Sequence, residues 1–180
     1  MMRVLVHLCV ALLLSVIETS FFASFHGIIR FTPFVFAVSV YLVQHHGITQ
    51  ASTWMVIHGI FLDMLHGTQT PFVTIAYTLA ALVSVQSAQR VFSNRSFYGV
   101  VTCSLLGYTS FIFSDLLLRI MALFTSNVPI NGWTYINDVL DHYEMLIIFL
   151  IILFFVFKKD TASFDKTFFG TEITSNPLTC

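Results

Sequence analysis

Charge is what this chain has least of. Only 9% of its 180 residues are Asp, Glu, Lys or Arg, against about a quarter in an ordinary globular domain. From Val4 to Gln89 the formally charged side chains are Glu18, Arg30 and Asp63 alone. A water-soluble domain cannot cover its surface with so few charges, so the solvent around most of this chain is lipid. Cysteine is scarce as well. Cys9, Cys103 and Cys180 are odd in number and form no CxxC pair, which argues against a disulfide framework and a zinc site. The net charge of -1 argues against nucleic acid or anionic lipid as the main partner. GxSxG, a Gly-rich phosphate loop and HExxH are all missing. No enzyme chemistry, bound metal or cofactor is therefore expected.

What is present is apolar. Hydrophobic residues make up 57% of the chain and fall into runs near the roughly 20 residues that cross a bilayer. They predict an all-α, polytopic membrane protein with six transmembrane helices, at about 4–22, 31–43, 48–65, 72–89, 97–124 and 145–157. All six form one domain, 1–157. The first run follows a basic start like a secretory signal, but Glu18-Thr19-Ser20-Phe21 replaces any small-x-small cleavage site, so it reads as an uncleaved helix. Pro33 suits a first helical turn, Gly47 closes the second run, and Gly67 to Pro71 makes the turn after the third. Ser126 to Trp133 is rich in turn formers. Over 134–144, Ile136, Val139, Leu140 and Tyr143 share one helical face, with Asp138, Asp141 and His142 opposite. That pattern predicts a short amphipathic helix on the outer surface, with Trp133 and Tyr135 at headgroup level. The tail, 158–180, is polar and expected to be flexible and cytoplasmic.

With six spans and the N-terminus inside, Arg3, Arg90, Arg95, Lys158, Lys159 and Lys166 fall on the cytoplasmic side, as the positive-inside rule requires. Arg30 and Arg119 fall outside. Both termini are thus expected in the cytoplasm.

Close helix contact in lipid depends on small residues. Ala76, Ala80, Ser84 and Ala88 recur every four residues, as do Gly99, Cys103 and Gly107, while Gly59 and Gly67 bracket Asp63. These ribbons serve either the internal bundle or a partner's helix. In the same topology Glu18, Asp63, Asp115 and Arg119 lie near the outer ends of their spans. His58 and His66 flank Asp63, and Arg30 sits in the first outer loop. Together they could enclose an outward-facing polar cavity for a partner segment or small ligand. Local explanations stand beside that one. Asp115 and Arg119 are four apart and can pair on their own helix, Arg119 can reach the interface, and Asp63 can be satisfied by the turn that follows it. Glu18 and His7, eleven residues apart, share a face and could simply bridge helices.

The segment Gly59-Ile60-Phe61-Leu62-Asp63-Met64-Leu65-His66-Gly67 resembles the rod shape-determining protein MreD family, which carries Gly-x-x-x-Asp-aliphatic-aliphatic-x-Gly here. Glu18-Thr19-Ser20-Phe21-Phe22 and the helix led by Pro33 extend the resemblance over about 12–108. Pro71 departs from it, standing where the family usually has a second Gly. The resemblance implies a non-enzymatic scaffold in the bacterial inner membrane. Its implied partners are an MreC-like single-span protein and, with it, a RodA-type glycosyltransferase and a class B transpeptidase. It also implies a fold similar to the substrate-binding subunits of energy-coupling-factor vitamin transporters, and such a subunit is the alternative function. Those subunits dock through an Ala-x-x-x-Ala ribbon in the first helix, which Cys9-Val10-Ala11-Leu12-Leu13-Leu14-Ser15 lacks. A proton- or ion-coupled carrier would need charges nearer the midplane.

Overall fold

A computed structural model describes residues 2–46, 49–67, 70–91, 96–126 and 132–157, and every element among them is helical. Helix α1, Met2–Val16, continues through a wide π turn, Ile17–Phe21, and a 3-10 turn, Phe22–Ser24. Then come α2, Phe34–Tyr41, and α3, Ser52–His66. Helix α4 covers Phe72–Gln86, α5 Phe97–Ser126 and α6 Gly132–Phe157. The expected closing role of Gly47, the tail 158–180 and most of the loop before Trp133 lie outside the described residues.

Among the described residues, four helices are long and apolar enough to cross a membrane: Leu5–Ser24, Phe72–Arg90, Phe97–Met121 and Gly132–Val156. Their length and composition are those of a membrane protein. The other two expected spans do not meet the same measure. Phe34–Gln44 is apolar but short, and α3 has 15 residues, about 22 Å at 1.5 Å per residue against a hydrocarbon core of about 30 Å.

Short as it is, α2 forms the centre. Val35, Phe36, Ala37 and Val40 are fully buried, with α1, α3, α5 and α6 packed around them. By contrast α1 turns Leu5, Leu8, Leu12, Leu13 and Val16 outward, a face suited to lipid and useless in water.

Two of the small-residue ribbons pack inside the bundle. Ala76, Ala80, Ser84 and Cys103 are buried, as are Gly59, Gly99 and Gly107, and Ala88 is partly buried. A Cβ at Gly107 would collide with Ser84 Oγ, while the Cys103 thiol donates to the Ser84 carbonyl at 3.2 Å. These contacts close α5 on α4. A Cβ at Gly59 would lie 2.8 Å from Thr74 Cα, so that glycine closes α3 on α4. Gly67 is different. It is exposed, meets nothing within 4 Å and has φ +60°, so it ends α3 in the left-handed conformation rather than packing in a seam.

The helix expected at 134–144 is not separate. It is the first half of α6, because no Gly or Pro interrupts 133–157. Ile136 and Leu140 are exposed there, as are Asn137 and Glu144, while His142 meets the rings of Phe31 and Tyr108. Trp133 remains 74% exposed, as an interfacial residue would.

Gly107→Val should destabilise the bundle by about 1–3 kcal/mol through overpacking, read as a lowered thermal midpoint in detergent. Adding Ser84→Gly should restore part of the loss, and Gly132→Ala, with open space around it, should change little.

Candidate functional site

The first N–H groups of any helix lack intrahelical partners, and in lipid each such orphan costs several kcal/mol. Helices α2 and α4 open on the same tetrapeptide, Thr32-Pro33-Phe34-Val35 and Thr70-Pro71-Phe72-Val73. Proline occupies the cap position in both, with φ of -78° and -79°. It pre-sets the backbone but brings no side-chain acceptor. The acceptor comes from the helix before. Val35 N–H donates to Glu18 Oε2 at 2.7 Å. Val73 N–H donates to Asp63 Oδ1 at 3.3 Å, and Thr74 gives its N–H and hydroxyl to Asp63 Oδ2 at 2.8 and 2.6 Å. A carboxylate also suits the positive end of the helix dipole. The repeated tetrapeptide was visible in the sequence, but the pairing of each copy with an upstream carboxylate was not.

Glu18 belongs also to a second arrangement. His7, Ala11, Ser15 and Glu18 make one stripe along α1, facing Trp54 and His58 one turn apart on α3. Trp54 Nε1–H donates to His7 Nδ1 at 3.2 Å. His58 is fully buried. Its Nδ1 lies 2.9 Å from Ser15 Oγ, and its Nε2 lies 3.4 Å from Glu18 Oε1. Ser15 Oγ in turn lies 2.8 Å from the Ala11 carbonyl. The order hydroxyl, imidazole, carboxylate is that of a nucleophile relay. Ser15 is itself fully buried, which suits holding a proton better than attacking a substrate. The spacing of His7, Ser15 and Glu18 was the available signal for Ser15, and the four-residue step from Trp54 to His58 was the signal for Trp54.

The remaining candidates lie elsewhere. Arg119 Nε donates to Asp115 Oδ2 at 2.6 Å within α5, and Tyr135 O–H reaches the same oxygen at 3.3 Å. The Arg119 guanidinium stands 5.6 Å over the Tyr135 ring. This is the local pair, extended to α6. His66 is exposed and bonds the Leu62 carbonyl of its own helix, and Arg30 is exposed over the ring of Phe31. Neither joins Glu18. Among the described residues, no group of three or more His, Cys, Asp or Glu is placed to hold a metal ion.

No family model matches the chain, and no curated protein or solved structure matches it either.

Asp63→Ala should cost about 0.5–2 kcal/mol, the usual worth of an N-cap acceptor, whereas Asp63→Asn keeps one acceptor oxygen and should lose less. Thermal unfolding of both variants in one detergent checks the order; equal losses would remove the cap from the account of Asp63.

Proposed function

We propose that this chain is an MreD-type, non-enzymatic scaffold of the bacterial inner membrane. It would serve the elongation complex that maintains rod shape. Its expected partners are an MreC-like single-span protein, a RodA-type glycosyltransferase and a class B transpeptidase. In this reading all six helices span, both termini are cytoplasmic, and the carboxylates of α1 and α3 lie toward the outer leaflet.

One observation carries the reading. The residues that make the resemblance, Gly59, Asp63 and Gly67, have distinct structural tasks in one hairpin. Gly59 admits the backbone of α4, Asp63 caps α4, and Gly67 stops α3. A hairpin fixed in this way supports a reading in which the protein works by presenting a constant helical surface. The exposed apolar face of α1 offers a surface of that kind for a single-span partner.

Gentle detergent extraction of the tagged protein from native membranes, followed by mass spectrometry, tests the proposal. A single-span periplasmic protein recovered with wall-synthesis enzymes is the expected result. Recovery of paired ATPases and a second multi-span subunit would instead make the chain a vitamin-transporter subunit.

A further inference from the structure

The two capping carboxylates are used unequally. Both oxygens of Asp63 bond the start of α4. Glu18 gives Oε2 to Val35, while Oε1 faces His58. His58 Nε2 is buried, lies within 3.4 Å of that carboxylate and has no hydrogen-bond partner. An imidazole nitrogen in that position can answer a carboxylate only by carrying a proton.

Whether it does depends on Ser15, whose hydroxyl has one proton and two acceptors in reach. With that proton turned to His58 Nδ1, a neutral ring carries its own proton on Nε2, toward Glu18. With it turned to the Ala11 carbonyl, Nδ1 must itself be N–H to meet Ser15 Oγ. A neutral ring would then present a bare lone pair to the carboxylate. The imidazolium avoids that conflict, donating Nδ1–H to Ser15 and holding its charge 3.4 Å from Glu18 Oε1. Rotation of one hydroxyl therefore lets the same side chains accept either charge state of His58 without moving the helices.

We propose that Ser15, His58 and Glu18 form a reversible proton-binding site within the helix bundle. Loading adds one proton from water to the imidazole ring, giving an imidazolium paired with the Glu18 carboxylate, and unloading returns it. No other bond forms or breaks. Glu18, with its side chain 17% exposed against none for His58, is the member of the site that reaches the surface of the bundle. The neighbouring elements leave this assignment intact. On α3 itself, Asp63 is engaged by the start of α4. From α4 the Tyr77 ring meets His58 edge to face at 5.1 Å. From α5, Tyr108 stacks on Phe111, which meets the Tyr77 ring, and Asp115 is already paired with Arg119. On α1, His7 accepts from Trp54, and α2 contributes the Val35 N–H. Because Glu18 also caps α2, the proton on His58 bears directly on the hold of α1 over the central helix. The site stands whether or not the scaffold reading does.

The test is NMR on the full chain in lipid nanodiscs, with 15N-labelled histidine and 13C-labelled glutamate carboxyls, from about pH 5 to about pH 8, where histidine ordinarily changes charge. His58→Gln and Glu18→Gln assign the two signals. The ring nitrogens of His58 should pass reversibly between neutral and imidazolium patterns, with the Glu18 carboxyl signal moving in step. Glu18→Gln, whose amide oxygen can still accept from Val35, should lose the imidazolium pattern over the same range. The site is refuted if His58 keeps one charge state, neutral or imidazolium, throughout that range. It is refuted equally if the Glu18 signal stays still as His58 changes, a readout of the unsubstituted protein that holds even if Glu18→Gln does not fold.

Discussion

A helix whose first turn packs against its neighbours must find acceptors for its first N–H groups, and this requirement organises the molecule. Water supplies them at an exposed helix start; at the starts of α2 and α4 a side chain does. Helices α2 and α4 both begin at proline, which fixes the backbone and offers nothing to the N–H groups that follow. Glu18 and Asp63 make up the deficit, each from the end of the preceding helix. This accounts for two of the three charges that survive between Val4 and Gln89. The third, Arg30, lies exposed on Phe31.

The two caps place the pairs of helices differently. Asp63 reaches ten residues forward and closes a tight hairpin, whose interior Gly59 opens to the backbone of Thr74. Glu18 reaches seventeen residues across a longer connection. The wide π turn at Ile17–Phe21 carries it, and such turns commonly occur where a helix departs from regular geometry for a purpose. Its second oxygen is left for α3, so this one carboxylate touches three helices.

Much of this was legible in the sequence and some was not, for definite reasons. Charge scarcity and run length foretold an all-helical membrane protein. Four-residue ribbons of small side chains foretold tight contacts, because close approach in lipid has few other means. The spacing could not say that Gly67 stops a helix while Gly59 packs in a seam, since both are glycine and only backbone conformation separates them. Nor could composition show that the stretch from Trp133 to Tyr143 joins α6. An apolar face beside a polar one describes a helix on the membrane surface equally well as one whose apolar face meets lipid. The gathering of Glu18 with His58, and the exclusion of Arg30 and His66, depended on side-chain direction. The linear order of polar residues carries no such information.

The short reach of Asp63 has a consequence for how the chain enters the bilayer during synthesis. Alone, α3 is poorly suited to partition into lipid, since it is short and bears His58, Asp63 and His66. Once α4 has emerged, the carboxylate that made α3 costly already has its donors, and the two helices offer the translocation machinery a single, better-matched hairpin. In the six-span reading, commitment of α3 to the membrane would wait on the first turn of the helix that follows it.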